Sequence, residues 1–514
     1  MANFRSNKGT YSMPTNWKHE LRLAILTRIF LAIVLICGAG RSAASQEAAA
    51  GAPQPQNMPV TSSSVAATRY FENGMRQYEM HRWNFALNDW HEAVKLDPNF
   101  ALAHAWICMT TADPAEEASH REQAKAALKA ASPGEALVVQ WMAGIHENRF
   151  VDGISAMNDL LAMYPHDKRL NFLFGYWLYK LDQYDYAEKL TLKALAEDPN
   201  YATAYNQMGY LYSRRSDYAK ALEATGKYVQ LLPNEPNPHD SYGEMLRLVG
   251  RFDEALEQYH MALKIDPTFY ISQKELGETY AIMVQGEKSR EEYAKAVHDA
   301  PSDGVRAEYL QKSAMTYVRA RQYEQADKAY LDAAEKAHAM QQWVWEARAY
   351  RIMAMYETDE AAALKNLEKA EALLAARTGA VAQADLDDEQ AHIWRVRAER
   401  AAAARDFAAA HKAVNGLEQL VAAGGSTSIV RTYQGALGTL LVAQNKYAAA
   451  VPHLEEDFAN PLSMKVLVTA YEKSKAKDRA VRLRKKLQEW KIPGIEEALV
   501  VPGLQAQPEV RSRK

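Results

Sequence analysis

Two His-Glu pairs come closest, by residue type and spacing, to a catalytic motif. On a helix, such a pair binds zinc and activates water when a second His follows three residues after the Glu. The chain has His91-Glu92 and His146-Glu147, but Lys95 and Phe150 occupy the positions of that second His. Both pairs are therefore interpreted as ordinary helix residues, and the sequence predicts no metal site.

The other short motifs do not support an enzyme either. Residues 38–43 imitate a dinucleotide-binding glycine pattern, but no strand precedes them. Gly226-Lys227 lacks the earlier glycine and the following Ser or Thr of a phosphate-binding loop. Gly424-Gly425-Ser426 lacks the strand–Ser–helix turn of a hydrolase nucleophile. Cys108 is interpreted as a small buried side chain. We therefore expect no catalytic residue and no cofactor.

The composition indicates a large buried core and no bias in charge. The 514 residues include 61 Lys and Arg and 64 Asp and Glu, for a net charge of −3, and 48% are hydrophobic. This balance argues against a nucleic-acid partner. The two cysteines, Cys37 and Cys108, cannot form a disulfide framework.

Residues 1–44 have the pattern of a secretory signal. Five basic residues and a single acid precede an apolar run over 29–40, and small residues follow it. This order is typical of a cleaved signal peptide. The alternative is an uncleaved anchor over 23–39, although a spanning helix needs about 20 apolar residues. Residues 45–66 are rich in Ala, Gln, Pro and Ser and are predicted to be a disordered linker.

Prolines recur at an interval of 34 residues, and other residue types keep the same phase. The prolines are Pro165, Pro199, Pro233, Pro267 and Pro301. A glycine precedes each of the last four by 24 residues, and Tyr or Phe precedes three of them by 15. Alanine recurs 12 and five residues before them, with Ser289 and Tyr228 as the exceptions. Four residue classes in one period indicate a repeat array.

Each period has the pattern of two short helices. In residues 236–267, apolar side chains of the first helix share one face with Gly243, which allows a neighbouring helix to approach closely. Phe252 is expected to begin the second helix, and Asp266-Pro267 to end it, because proline disfavours helical geometry in the preceding residue. One such pair cannot bury its own apolar face, so neighbouring pairs must stack.

These features resemble the tetratricopeptide repeat family, whose members are solenoids of 34-residue helix–turn–helix units. The resemblance, closest over 168–301, implies an all-α fold, an α-α superhelical solenoid of eleven or twelve units. We expect a regular array over 67–301 and a degenerate helical array with a capping helix over 302–490. Residues 491–514 are expected to form a C-terminal tail.

The resemblance also implies that partners bind along the concave side, which the first helix of each repeat lines. Residues off the packing face, at positions i, i+3, i+7 and i+10 of that helix, are expected there. They are Arg169, Phe172, Tyr176, Tyr179, Asn206, Tyr210, Asp240, Glu244, Arg247, Lys274 and Glu278. Tyrosine stacking and hydrogen bonds from Asn206 would suit an extended peptide. The alternative is that these side chains are solvated or contact neighbouring repeats.

The last part of the array is basic. Residues 472–491 hold nine Lys and Arg against three acids, a net charge of +6. One interpretation is a polar capping helix, which solenoids need for solubility. The other is weak contact with anionic lipid headgroups or with an acidic partner.

The sequence therefore predicts a non-enzymatic scaffold of exported bacterial type. Outside the repeats remain a signal, a linker and a short tail, whereas a catalytic domain needs about 100 residues or more. We expect a periplasmic or cell-envelope protein that binds protein or peptide partners and no nucleic acid. One alternative is a membrane-anchored subunit that recruits or regulates an envelope complex. Another is an enzyme with a site in the irregular repeats over 302–400.

Overall fold

Helices form all of the regular secondary structure in the part of the chain that the structure describes. The computed structural model describes residues 56–505 apart from 112, 148, 379 and 380. The chain divides into two compact units between Pro199 and Asn200. The predicted signal peptide or anchor, residues 45–55 of the predicted linker and residues 506–514 lie outside the described residues.

Unit 1 contains four consecutive helix pairs within residues 56–199. Its helices are α1 (Val65–Glu79), α2 (Trp83–Leu96), α3 (Ala101–Thr110), α4 (Pro114–Ala126), α5 (Pro133–His146), α6 (Phe150–Met163), α7 (Lys168–Lys180) and α8 (Tyr184–Glu197). A short 3₁₀ turn, Ala127–Lys129, follows α4.

Unit 2 contains eight further pairs and one additional helix within residues 200–505. The first eight helices are α9 (Ala202–Arg214), α10 (Tyr218–Leu231), α11 (Pro236–Leu248), α12 (Phe252–Ile265), α13 (Tyr270–Ile282), α14 (Gly286–His298), α15 (Asp303–Arg319) and α16 (Tyr323–Ala339). The others are α17 (Trp343–Tyr356), α18 (Glu360–Ala376), α19 (Gln383–Ala403), α20 (Phe407–Ala422), α21 (Thr427–Ala443), α22 (Tyr447–Glu456), α23 (Pro461–Lys473), α24 (Lys477–Gln488) and α25 (Ile495–Gln505).

The predicted fold class and the predicted start and end of the second helix are confirmed. Phe252 is the first residue of α12, and Tyr184 and Tyr218 take the same place in α8 and α10. Helix α12 ends at Ile265, and Asp266 is extended, with φ −137° and ψ 98°. This conformation is the one that the following proline favours. The result is an all-α fold of consecutive helix–turn–helix repeats.

Close packing within each pair explains the phased glycine. A Cβ added to Gly243 on α11 would lie 2.7 Å from Cε1 of Tyr259 on α12. Tyr259 is completely buried, as is Ala255 one turn before it. In the first pair of unit 1, a Cβ added to the equivalent Gly74 would overlap the Trp90 ring. In these two pairs the glycine leaves space for one large ring, whereas Gly209 in the first pair of unit 2 faces the smaller Thr225.

Residues 58–64 are held in place by hydrogen bonds, which corrects the disordered linker predicted over 45–66. Backbone N–H groups of this segment donate to Asp167 (2.9 Å), Glu135 (2.6 Å) and Asp97 (2.7 Å). Each acceptor lies at the end of a helix, where a carboxylate can accept from a passing backbone. The composition predicts disorder because the segment has few apolar side chains to bury. Composition does not reveal the hydrogen bonds that hold the segment in place.

The predicted C-terminal tail also contains a helix, α25, which contacts α15 and α23. Glu497 forms a buried ion pair with Arg319 of α15. Ala498 and Val501 are buried as well, so that α25, rather than the predicted capping helix over 302–490, is the last packed element among the described residues. Short apolar runs such as Ala498–Val501 can close a repeat array when a core face is available to cover them.

Among the residues that the structure describes, no helix combines the length and the apolar character needed to cross a membrane. The alternative anchor over 23–39 lies outside these residues.

Candidate functional site

An open cavity lined with aromatic side chains lies in unit 1. Its volume is about 250 Å³. The lining residues are Tyr78, Trp83, Trp106, Met109, Thr110, Trp141, Leu173, Tyr176, Trp177 and Lys180. All but Trp83 come from α1, α3, α5 and α7, the first helices of the four pairs. These are the helices that the sequence predicts to line a groove.

The rings of the cavity wall contact one another. The ring centroids of Tyr78 and Trp106 are 5.2 Å apart, and those of Trp106 and Trp141 are 6.3 Å apart. The Trp141 and Trp177 rings meet edge to face at 5.7 Å. These separations lie in the range that favours aromatic pairs. Since Trp106 and Trp141 are also buried, the wall is formed before any ligand enters.

A neutral histidine supports the mouth of the cavity. His81 lies in the turn between α1 and α2 with φ 59°, and its ring contacts those of Trp83 (5.7 Å) and Tyr176 (5.9 Å). Burial, with a smaller contribution from the charge of Lys180, lowers the pKa of His81 to about 4. The imidazole is therefore neutral at pH 7. The positive charge at the mouth comes from Lys180, whose Nζ lies 5.4 Å from the centre of the Tyr176 ring.

Two polar groups of the lining have no hydrogen-bond partner among the described residues. They are Nε1 of Trp141 and Oγ1 of Thr110, both buried. Buried polar groups are nearly always paired with protein, water or ligand, and leaving one unpaired costs about 1–3 kcal/mol. Drug-sized ligands occupy pockets of roughly 300–1,000 Å³. A smaller cavity with these groups suits one apolar side chain that has a hydrogen-bond acceptor beside it.

The four predicted residues of unit 1 have different surroundings. Tyr176 lines the cavity, as expected for a groove residue. Arg169 donates to Glu79 on α1 at 2.8 Å, which links α7 to the first helix. Tyr179 packs against the first residue of α8. Phe172 is buried, contrary to the expectation that it faces a partner.

The predicted residues at the start of unit 2 contact neighbouring repeats. The Tyr210 hydroxyl donates to Glu244 at 2.7 Å, which joins α9 to α11. Asn206 is buried and its amide lies 3.5 Å from Oδ1 of Asn237. Asp240 is buried too and accepts a hydrogen bond from Ser272 of α13. Contacts of this kind are the alternative that the sequence left open.

The remaining predicted residues form one network of charges across α11, α13 and α15. Arg247 forms ion pairs with Glu275 (2.8 Å) and Glu278 (2.9 Å), and Lys312 of α15 also pairs with Glu278 (2.8 Å). Lys274 pairs with Glu275. Arg247 and Glu278 are buried, so the network contributes to the stack and offers little surface to a partner.

The acids of this network differ in protonation. Burial and repulsion from Glu275 raise the pKa of Asp240 to about 8. Burial acts in the same direction on Glu278, but the charges of Lys274, Lys312 and Arg247 outweigh it and hold the pKa of Glu278 well below its ordinary value. Glu278 is therefore the ionised partner of the cations at pH 7.

Helix α25 covers part of the inner side of unit 2. Ala498 belongs to the core cluster built by α15, α16, α17, α18 and α19, and Val500 to the one built by α22, α23 and α24. Leu499 forms one wall of an adjoining cavity of about 410 Å³ with Met355 and Val396. The apolar inner side of these repeats is therefore occupied by the chain itself.

Of the residues that line the cavity, only Tyr176 is among the predicted groove residues. Trp106, Trp141 and Trp177 stand at intervals of 35 and 36 residues, close to the 34-residue period. A tryptophan in each of three successive first helices is a signal that a search for repeated aromatic residues would detect. The predicted groove residues lie at a fixed spacing on one helix face, which includes Tyr176 and excludes its neighbour Trp177.

The basic residues of 472–491 lie mostly on α24. Arg484 pairs with Glu472 (2.5 Å), and Arg479 pairs with Glu455. Most of the other cations of this helix are exposed. A role in contact with lipid headgroups or an acidic partner stays a prediction.

The repeated helix pairs define a class of fold, the all-α repeat proteins, in which each unit packs against its neighbours. The sequence pattern described as Tetratricopeptide repeat matches residues 190–223. This chain therefore contains a tetratricopeptide repeat at residues 190–223, within a series of helix pairs of the same kind.

Known proteins match only parts of the chain. Human Protein O-mannosyl-transferase TMTC1 is 24% identical over 201 residues, which are 38% of this chain and 23% of that protein. Small glutamine-rich tetratricopeptide repeat-containing protein 2 of Mycosarcoma maydis is 33% identical over 89 residues, 17% of this chain and 25% of that protein. The chain thus spans a quarter or less of the length of these curated relatives.

A solved structure with similar helices is the APC/C hetero-tetramer Cut9–Hcn1. The similarity covers 87% of this chain and 81% of the matched chain, at 14% identity and a TM-score of 0.40. The identity is too low to transfer a ligand or a partner.

Proposed function

We propose that this chain is a non-enzymatic scaffold that binds a peptide segment of a partner protein in unit 1. The aromatic cavity receives one apolar or aromatic side chain of that segment. The observation that carries the proposal is the convergence of aromatic side chains from four successive first helices on one open cavity. Aromatic pockets of this kind anchor the few residues that contribute most of the affinity at protein interfaces.

The polar groups of the cavity indicate what surrounds the anchor. The unpaired N–H of Trp141 suits a carbonyl or carboxylate oxygen near the anchor side chain. Lys180 at the mouth favours an acidic residue next to it. The preferred ligand is therefore an apolar or aromatic side chain within an acidic stretch of chain.

A displayed library of random peptides, selected against the full chain, tests this proposal. The dissociation constants of the selected peptides are then measured for the parent protein, for Trp83→Ala and for Phe85→Ala. Trp83 is 39% exposed at the cavity, and Phe85 is 52% exposed on the same helix but away from the cavity. We expect Trp83→Ala to weaken binding by about 2 kcal/mol, roughly 30-fold, because it removes an interface anchor.

Phe85→Ala should leave the dissociation constant unchanged. Selected peptides that lack an apolar residue, or equal affinities for the two variants, would contradict the proposal. Circular dichroism of both variants checks that the helices are intact.

The composition of the cavity supports the non-enzymatic part of the proposal. Its ten lining residues include no carboxylate and no histidine, so a general base is not paired with a nucleophile there. The transferase named among the relatives shares less than a quarter of its length with this chain.

We also propose that the protein is exported, because in residues 1–44 a basic segment is followed by an apolar run and then by small residues, as in a secretory signal. The alternative is a membrane-anchored form held by residues 23–39 that recruits or regulates an envelope complex. N-terminal sequencing of the mature protein separates the two. A new N-terminus near residue 44 supports release, and an intact N-terminus supports the anchor.

A further inference from the structure

Three side chains able to bind a metal converge in unit 1, away from the aromatic cavity. His91 lies on α2, and Glu116 and His120 lie one turn apart on α4. One ligand atom from each residue lies within 4.8 Å of the other two. Nε2 of His91 is 2.8 Å from Oε1 of Glu116, and the His91 and His120 rings are 6.0 Å apart.

The sequence motif fails here, but the fold completes the set. A zinc-binding helix would place the second His at position 95, where the chain has Lys95. The α2 and α4 helices instead bring Glu116 and His120 to His91 from a segment about 25 residues later. Ligands that lie on helices are held more precisely than ligands on loops.

A fourth residue orients His120. Nε2 of His104 lies 3.0 Å from the carbonyl oxygen of Pro98, and its Nδ1 lies 2.8 Å from Nδ1 of His120. A carbonyl only accepts, so Nε2 of His104 carries the proton, and Nδ1 of His104 accepts from Nδ1–H of His120. The lone pair of His120 is then at Nε2. Histidines that bind metals are usually fixed in this way through the other ring nitrogen.

The carboxylate is oriented as well. The Thr111 hydroxyl donates to Oε2 of Glu116, which leaves Oε1 directed to His91. The side chains of His91 and Glu116 are 32% and 30% exposed, so an ion can reach them from solvent and keep a water ligand.

We propose that His91, Glu116 and His120 form a three-ligand site for a divalent ion of the zinc class, with water in the remaining position. Two imidazoles, one carboxylate and a water are a donor set that zinc accepts in a tetrahedral geometry. The bound ion links α2 to α4 across the first two pairs of unit 1. His104 is a positioning residue, since it acts through His120.

A second cluster of possible metal ligands also lies in unit 1, and the test must distinguish binding there from binding at the proposed site. Cys108, Glu117 and His146 also place one ligand atom each within 4.8 Å. Burial, followed by the charge of Glu117, raises the pKa of the Cys108 thiol to about 12. Cys108 is also buried, whereas the three residues of the proposed site are all partly exposed, so an ion reaches the second cluster less readily from solvent.

Calorimetric titration of the chelator-treated full chain with zinc chloride tests the proposal. We expect saturable binding of one equivalent and a rise in thermal midpoint with zinc, because an ion that binds only the folded state stabilises it. His91→Gln and Glu116→Gln should each weaken zinc affinity by more than about 100-fold, since even positioning residues are worth 10–100-fold. His104→Gln should weaken it by about 10–100-fold.

His166→Gln is the matched control. It removes the histidine of another His–Glu pair of unit 1, with Nδ1 2.7 Å from Glu197 and a side chain that is 64% exposed. Zinc affinity should not change. Circular dichroism establishes that each variant is folded, and if one variant is not, the other half-exposed ligand still decides the outcome.

Titration with cobalt(II) locates the ion. Binding at the proposed site gives ligand-field bands without a thiolate charge-transfer band. A charge-transfer band that disappears in Cys108→Ser would place the ion at the second cluster and overturn the proposal. No saturable binding of zinc, or equal binding by the parent and His91→Gln, would overturn it too.

Discussion

Units 1 and 2 are built from the same helix pair but present different inner surfaces. In unit 1 the first helices place Trp106, Trp141 and Trp177 around an open cavity. In unit 2 the first helices place paired charges such as Arg247 and Glu278 in contact with one another, and α25 packs on α15 and α23. The surface of unit 1 is open and aromatic, whereas unit 2 has paired charges on α11, α13 and α15 and an apolar part that α25 covers.

The difference shows which positions of the repeat are constrained. Where a large ring of the second helix packs against the first helix, a glycine is required there, as in Gly74 with Trp90 and Gly243 with Tyr259. The inner side of the first helix has no such steric requirement. Its residues can therefore change from aromatic to charged while the fold stays the same.

The largest effect on this comparison should come from Glu497→Ala, which breaks the ion pair that fastens α25. The substitution leaves Arg319 buried without its carboxylate, and removing one partner of a buried pair costs about 3–5 kcal/mol. We expect that loss in the free energy of unfolding measured with urea. Hydrogen exchange of residues 495–505 should accelerate at the same time.

Glu489→Ala is the control, because Glu489 lies outside α25 with its side chain 60% exposed. It should change the free energy of unfolding by less than about 0.5 kcal/mol. The double change Arg319→Leu with Glu497→Leu should recover most of the stability, since two apolar residues leave no buried charge. If Glu497→Ala and Glu489→Ala behave alike, α25 does not cover unit 2 and the contrast between the units is lost.

A second effect should appear in the dependence of stability on pH, with opposite signs in the two units. The folded pKa of Asp240 in unit 2 is about 8, above the ordinary value of 3.8. The folded state then holds the proton more tightly, so stability declines as the pH rises between about 4 and 8. For Asp97 in unit 1, burial is outweighed by hydrogen bonds from Ser62, Ser63 and Asn99, which lower its pKa. Its contribution is lost as the pH falls below about 4.

Urea unfolding between about pH 3 and about pH 9 measures both contributions. Asp240→Asn should remove part of the decline towards alkaline pH, by at most about 1.4 kcal/mol per pH unit. Asp97→Asn should reduce the loss at acidic pH. Asp332→Asn is the control, because the Asp332 side chain is 57% exposed. Identical pH profiles for the parent and Asp240→Asn would contradict the assignment of a raised pKa to the charged network.

The fold could be predicted from the sequence because its main signals are steric. Pro267 ends a helix, Gly243 makes room for a ring, and Phe252 begins the second helix. Each signal acts within one repeat and recurs every 34 residues, so twelve pairs follow from a local pattern. The helix α25 has no place in that period, which is why residues 491–514 read as a tail.

The candidate sites could be predicted only in part because they depend on contacts between repeats. Tyr176 was reached from its helix face, but Trp141 becomes a cavity wall only when α5 packs beside α3 and α7. His91 fails as a local motif and gains Glu116 and His120 only where the fold brings side chains of α2 and α4 together. Spacing within a single helix contains neither relation.

The smallest expected effect comes from Tyr210→Phe, and it decides whether a predicted groove residue binds a partner or supports the stack. The change removes the hydrogen bond to Glu244, so we expect a loss of about 1 kcal/mol in the free energy of unfolding. Peptides selected for the cavity of unit 1 should bind with unchanged affinity. Tyr218→Phe removes a tyrosine hydroxyl at the start of α10 and is the control, with no change expected in either measurement. Weaker peptide binding by a Tyr210→Phe protein of unchanged stability would instead place the partner on unit 2. The open aromatic surface of unit 1 would then lose its role as the binding surface, whatever its geometry.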